Sequence, residues 1–389
     1  MKLLLRKESF GGTLFVPSSG KRFYLNTKEY SELTSTHKLP PDIEKSLGLQ
    51  NLTNIDLIVV EPDFLPIENF SSPDKVFFEL TRRCNLTCIQ CLNDSGSELS
   101  DELNHSQKVK IISDLAQSGI QEVRFTGGEP LADKSWFEIA KEAKKYGLRV
   151  SFGSNGTLIT EPVVKLMQSI GVNSVITSLD GLKDTHEAIR GYASWEKTIL
   201  AISLLKEANI EVRVNFVLMR ENIHEVYDLC EFILSKGVPV FLRRFIPSGR
   251  GSGSFHQILT QKEYDLLNQS LSPLIHQFGS LIQGHYINES PVLSRIPLPF
   301  KRKSCSAVHR GMVVLPNGKL SSCGFLADLG EGEIGDLQKE SFLSIWRHLN
   351  ETQYVHTFES RVGKFNQSNP GPANGCLALA HAYTNKGEG

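Results

Sequence analysis

The chain has 389 residues, too many for one compact core of ordinary size, so two or three domains are expected. Its 40% hydrophobic and 22% charged residues are typical of a soluble globular protein. A formal net charge of -1 supplies no global field for nucleic acid or an anionic membrane, and neither is expected as a partner.

The opening Met1 to Arg6 is too short an apolar run for a signal peptide. No run approaches a membrane-spanning helix, and even Ile55 to Val60 is broken by Asp56, so a cytoplasmic location is expected. From Met1 to about Phe64 there are short strand-like runs with turns at Gly11-Gly12 and Pro17 to Gly20. Helix-like stretches follow from Thr27 to Leu33 and from Pro41 to Leu47.

Next comes a repeating unit. Apolar, β-branched strands are expected at Val76–Leu80, Glu122–Thr126, Arg149–Gly153, Ser174–Leu179, Glu211–Val217 and Pro239–Phe245. Helical periodicity fills the gaps at Val109–Gln117, Trp136–Lys145, Pro162–Ser169, Trp195–Glu207 and Ile223–Ser235. Gly119, Gly147, Gly171, Asn209 and Gly237 stand where these helices should stop. Strands alternating with helices imply a parallel sheet with right-handed crossovers, either a partial barrel or a doubly wound sheet. Both keep their sites at the C-terminal strand ends. The unusual residues lie there: Cys84 after the first strand, Gly127-Gly128-Glu129 after the second, Ser154-Asn155-Gly156 after the third, Asp180-Gly181 after the fourth. After about Gly253 a helix is expected over Thr260–Leu271, then a hairpin of Met312–Leu315 and Leu320–Cys323 around Asn317-Gly318. Asn366 to Gly375 reads as loop.

Of the seven cysteines, three crowd together as Cys84, Cys88 and Cys91, and metal binding suits them better than disulfides. Three thiolates on one short loop can bind three irons of a cubane and leave the fourth without a protein ligand. A structural zinc is the alternative, but it wants a fourth Cys or His nearby, and the nearest is His105 beyond a polar stretch. Cys230 falls mid-helix and is expected in the core.

From about Lys75 to Arg250 the chain resembles the radical S-adenosylmethionine (SAM) superfamily. The resemblance implies a partial (β/α)6 barrel in which Cys84, Cys88 and Cys91 hold a [4Fe–4S] cluster that reductively cleaves SAM to a 5′-deoxyadenosyl radical. Phe125 to Pro130 resembles the element that binds the SAM amino group, with Gly127 and Gly128 letting backbone approach the methionine moiety and Glu129 facing the ammonium. Ser154, Asn155, Ser178 and Asp180 resemble residues lining the ribose and methionine site, and His186 with Arg190 an element whose arginine approaches the SAM carboxylate. Asn215 and Arg243 are further candidates on late strands. In one departure, Gln90 stands where the family usually has an aromatic residue against the adenine.

Two flanking resemblances complete the picture. Cys305, Cys323 and Cys376, with the hairpin and Ser344 to Trp346, resemble a SPASM or Twitch extension, implying one auxiliary Fe–S cluster in a reduced, Twitch-like version. His309 is a candidate fourth ligand for it. Residues Phe10–Phe15 and Gly20–Asn26 resemble the sheet of a PqqD-like, winged-helix-like peptide-recognition element, which captures a leader peptide as an added strand. The expected division is residues 1–68 for recognition, 69–253 for the barrel and 254–389 for the auxiliary-cluster region. Together these imply an enzyme that modifies a ribosomally made precursor peptide by thioether or carbon–carbon crosslinking. An external donor such as flavodoxin or ferredoxin would supply electrons. A radical SAM dehydrogenase acting on a small molecule such as an amino-sugar or a tetrapyrrole side chain, and a non-catalytic Fe–S or peptide-binding partner, are the alternatives.

Overall fold

A computed structural model of the chain describes residues 1–48, 55–66, 69–284, 307–308, 311–328, 330, 332–354, 357–358, 360–361, 364 and 376–379. Three antiparallel strands open it: β1 (Lys2–Glu8), β2 (Gly11–Val16) and β3 (Lys21–Asn26). Helix α1 (Thr27–Thr36) starts at a capping box in which Asn26 and Glu29 satisfy each other's backbone N–H groups. Helix α2 (Pro41–Ser46) follows. Strand β4 (Asp56–Val60) then returns parallel to β1, giving the order β3-β2-β1-β4. The expected three-stranded sheet thus has a fourth strand, in the run that had been considered only for its apolar length.

This sheet is buried on both faces. Leu3, Leu5, Leu14, Val16 and Leu25 form one core with Tyr30 and Leu33 of α1 and Ile43 of α2. On the other face Tyr24 stacks on Phe70 with ring centroids 5.9 Å apart, and Arg6 reaches across to the carbonyls of Pro73 and Gly119 at 3.1 Å each. Arg149 donates back to the carbonyls of Pro17 and Ser18. The N-terminal unit therefore sits under the N-terminal ends of the barrel strands.

The barrel strands and helices run in the expected order: β5 (Lys75–Thr81), α3 (His105–Gln117), β6 (Glu122–Gly127), α4 (Trp136–Lys145), β7 (Arg149–Gly153), α5 (Glu161–Ile170), β8 (Ser174–Ser178), α6 (Lys183–Arg190), α7 (Ser194–Glu207), β9 (Glu211–Leu218), α8 (Val226–Ser235) and β10 (Val240–Arg244). Each strand pairs in parallel with the next one in sequence, which decides for the barrel, because a doubly wound sheet reverses its order at a switch point. Val76, Phe78, Val123, Phe125, Val150, Phe152, Val214 and Phe216 point outward to the helices and are fully buried, as is Cys230 of α8. Helix α6 was not foreseen, since only His186 and Ile189 of its eight residues are buried and the apolar period is faint.

Helix α9 (Gln261–Phe278) leads to β11 (Ile282–Gly284), a seventh parallel strand beside β10. On the other edge β12 (Gly311–Val314) pairs in parallel with β5, and β13 (Lys319–Ser321), α10 (Gly324–Asp328), β14 (Glu333–Asp336) and α11 (Phe342–Glu351) follow. The residues after 253 thus extend the barrel sheet on both edges instead of building a sheet of their own, and Phe342 and Trp346 join the barrel core. No described helix is long and apolar enough to cross a membrane.

Candidate functional site

The loop after β5 carries Cys84, Cys88 and Cys91, all half-buried. It is held by backbone bonds more than by side-chain packing. The Cys84 N–H donates to Gly96 O (2.9 Å), that of Ile89 to Ile189 O (3.1 Å), and that of Arg250 to Cys91 O (3.0 Å). The Arg250 guanidinium donates to Cys88 O (2.9 Å) and Ser95 O (2.6 Å) and pairs with Asp94. A side chain at Gly249 would strike the carbonyls of Leu92 and Cys91 at 2.4 and 2.6 Å. This brace from beyond β10 escaped the sequence reading, and its signal is the Gly249-Arg250-Gly251 run after the last barrel strand.

Burial pushes the Cys84 thiol up to about 11 and raises that of Cys88, against the pull of Arg190. The Cys84 and Cys88 thiols therefore keep their protons until a metal displaces them. Among the described residues, no three His, Cys, Asp or Glu side chains converge to hold a single metal ion. Three thiols on one eight-residue loop, close enough to feel one another's charge, fit a polynuclear cluster in which each binds its own iron.

At the second strand end, backbone packs directly on backbone. A Cβ at Gly127 would lie 2.4 Å from Thr81 O, and one at Gly128 2.3 Å from Arg83 O. The glycines thus admit the chain's own backbone at the root of the cysteine loop, where Gly128 N–H donates to Thr81 O and Glu129 N–H to Arg83 O. Glu129 is fully buried, and its carboxylate accepts from Ser154 Oγ (2.9 Å), Asn155 N–H (2.8 Å) and Leu131 N–H (3.2 Å). It clamps the ends of β6 and β7 together. Asn155 Nδ2 in turn donates to Asn85 Oδ1 and lies 4.0 Å from Cys84 Sγ.

At the fourth strand end Asp180 is a hub. Its Oδ2 accepts from Arg190 Nε (2.6 Å) and Gln90 Nε2 (2.5 Å), and its Oδ1 from Val217 N–H (2.8 Å). Its own N–H donates to His186 Nδ1, and its carbonyl accepts from Asn222. Burial, then Arg190, pushes His186 down to about 4, so it stays neutral and can accept there. Arg190 Nη1 comes within 4.0 Å of Cys88 Sγ. Gln90, in the place of an aromatic, is thereby tied into the same network. Ser178 ends β8 opposite Asn215.

The C-terminal residues gather beside this site. Gly324, next to Cys323, approaches Leu92 of the cysteine loop at 3.8 Å from its Cβ position. Cys376 packs in one apolar group with Ile189, Met219 and Phe245. Cys305 and His309 lie outside the described residues.

Comparison with known proteins agrees with this geometry. Residues 78–233 match the model of the radical SAM superfamily, and 305–376 that of the SPASM iron–sulfur cluster-binding domain. The chain is 31% identical over 292 residues to the mycofactocin maturase MftC of Mycobacterium tuberculosis, covering 72% of this chain and 74% of that one. It belongs to the radical SAM superfamily. This radical SAM enzyme is also 27% identical over 335 residues to the AdoMet-dependent heme synthase of Methanosarcina barkeri, covering 81% and 94% of the two chains. In fold it resembles Streptococcus suis SuiB, crystallised with S-adenosylmethionine and with its precursor peptide SuiA. The TM-score is 0.66 at 16% identity, over 88% of this chain and 86% of SuiB. Membership brings a [4Fe–4S] cluster and SAM as cofactors, and the SPASM region brings auxiliary Fe–S chemistry.

Proposed function

We propose that this radical SAM enzyme modifies a ribosomally made peptide, forming a thioether or carbon–carbon crosslink, with Cys84, Cys88 and Cys91 holding the SAM-binding cluster. When bound, cluster and SAM supply a one-electron cleavage that yields a 5′-deoxyadenosyl radical, with the electron coming from an external donor such as ferredoxin or flavodoxin. The chain's own residues do the positioning. Arg250 and Gly249 fix the cysteine loop, and Glu129 locks Ser154 and Asn155 beside Cys84. Asp180 orients Arg190 toward Cys88, where the guanidinium can take the SAM carboxylate, while the backbone of Gly127 and Gly128 and the side chain of Ser178 border the SAM site. Cys305, Cys323 and Cys376 hold one auxiliary cluster.

The observation that carries the peptide reading is the N-terminal unit, residues 1–68 in the division proposed here. It has a core of its own, and β3 is an end strand of its sheet among the described residues. Phe23 of β3 and Leu47 beyond α2 are only partly buried at the rim of that core, so an added strand would meet both free backbone and an apolar strip. The likeness to the mycofactocin maturase supports the same reading. The second reading, a radical SAM dehydrogenase acting on a small molecule such as a tetrapyrrole side chain, is favoured by the likeness to the heme synthase.

Co-expression with short peptides encoded beside the gene, followed by mass spectrometry, tests the choice. Loss of two hydrogens from a peptide, greatly reduced in Phe23→Glu, is the expected result. Unaltered peptides alongside vigorous SAM cleavage would leave the small-molecule reading in place.

A further inference from the structure

The barrel interior carries more positive charge than it neutralises. Inward-facing positions of the strands hold Lys75, Arg124, Arg213 and Arg243, and the first three line a cavity of about 620 Å³ at the N-terminal ends of the strands, with Arg149 and Lys206 at its rim. Among the described residues, two carboxylates pair with this group. Glu122 is shared between Lys75 (3.1 Å) and Arg124 (3.4 Å), and the half-exposed Glu211 is taken by Arg149. Among the described residues Arg213 and Arg243 form no ion pair with a carboxylate, and Arg213 feels Glu122 only through its field. Each lies over the ring of Phe241, at 5.2 and 5.1 Å from its centroid, so one aromatic face region holds two guanidiniums. Arg213 Nε and Asn215 Oδ1, two residues apart on β9, are buried without a hydrogen-bond partner. Burial, then the charge of Arg124, pushes Arg213 down to about 9 and Arg243 to about 10.

Like charges held together without counter-charge destabilise a fold, and such arrangements persist where a ligand supplies the missing charge. We infer that Arg213 and Arg243, with Arg124 beside them, form an anion-binding site inside the barrel that receives a carboxylate of the substrate. A guanidinium fork matches a carboxylate in geometry as well as charge, and the neighbouring Phe241 and Phe77 rings offer apolar surface to the carbon chain bearing it. Asn215 Oδ1 accepts a hydrogen bond from a donor on the same ligand. The site lies on the inward faces of β6, β9 and β10 and borders the cavity at the N-terminal ends of the strands through Arg124 and Arg213. Substrates with a free carboxylate, whether a peptide carboxylate or a small polycarboxylate, are thereby selected over neutral ones.

This deepens the proposed function and rests on it only in taking the barrel as the substrate chamber. The test uses the full-length, cluster-free chain, so that it can fail while peptide crosslinking succeeds, and the reverse. Glutarate, its neutral diamide and inorganic phosphate are titrated calorimetrically at low ionic strength. Glutarate is expected to bind, the diamide not, and Arg213→Gln or Arg243→Gln to weaken glutarate at least tenfold. Arg213→Lys keeps the charge and should retain part of the affinity. Removing one unpaired guanidinium should also raise the melting temperature of the ligand-free chain, by about 2–4 °C. Unchanged glutarate affinity in both glutamine variants, or a lowered melting temperature in both, would overturn the anion site. Tighter binding of phosphate than of glutarate would overturn its assignment to carboxylates. Comparison of peptides ending in a carboxylate or an amide then separates a peptide source of the anion from a small-molecule one.

Discussion

A carboxylate with three hydrogen-bond donors normally ionises easily, yet at Glu129 burial outweighs them and pushes the group up to about 7 from its ordinary 4.5. Between those two values the folded, cluster-free chain holds a proton here that the unfolded chain has released. Stability from this group is therefore complete below about pH 4.5 and is lost as pH rises through about 7, by roughly 3 kcal/mol in all. Glu129→Gln cannot titrate, so the fall in unfolding free energy between about pH 5 and about pH 7.5 should be smaller in the variant by a similar amount. Denaturant melts of the cluster-free proteins at the two pH values check this, and equal falls would contradict it. At this scale the sequence places residues at strand ends but does not show what they touch. The bonds of Glu129 to Ser154 and Asn155, and that of Gln90 to Asp180, ninety positions away in sequence, have no local signal. Local spacing can place a residue at a strand end, but the direction of its side chain depends on what the distant chain brings to it.

Between elements, the end of β6 and the root of the cysteine loop touch through bare backbone. Gly128→Ala would drive a methyl group into the carbonyls of Arg83 and Arg82, at 2.3 and 2.6 Å, and backbone cannot turn aside as a flexible side chain can. The variant should lose about 1–3 kcal/mol of stability and retain markedly less iron after reconstitution, because the displaced loop carries Cys84. Iron content equal to that of the parent chain would show that the contact does not position the loop. The β/α repeat was legible because each strand is apolar and each helix has a clear period, and α4 and β7 fall where the pattern placed them. The hairpin of β12 and β13 stands where the Asn317-Gly318 turn placed it, whereas strands β4 and β11 and the pairing of β12 with β5 were not read. These strands are three to five residues long, and their pairing with β1, β10 and β5 is something periodicity within a segment does not report.

For the whole molecule, the barrel sheet joins the parts that the sequence suggested as separate. The C-terminal strands close onto β5 and β10, bringing Gly324 against Leu92 and Cys376 against Ile189, so the auxiliary region lies beside the cysteine loop. The N-terminal unit docks at the opposite, N-terminal ends of the strands through Arg6, which pairs with Glu8 and Asp74. Removing one member of such a buried group leaves the rest unpaired, so Arg6→Met should cost about 3–5 kcal/mol and loosen this unit, measurable as faster proteolysis in the segment joining it to β5. Proteolysis unchanged from the parent would argue that the apolar contacts around Phe70 alone hold the unit in place.

We propose that the loop of Cys84, Cys88 and Cys91 holds an open cluster that cleaves SAM. The most direct test is 5′-deoxyadenosine formation by anaerobically reconstituted, dithionite-reduced protein. The parent chain should form it, and Cys84→Ala, Cys88→Ala and Cys91→Ala should each abolish it. Continued formation of 5′-deoxyadenosine in those variants would contradict the assignment.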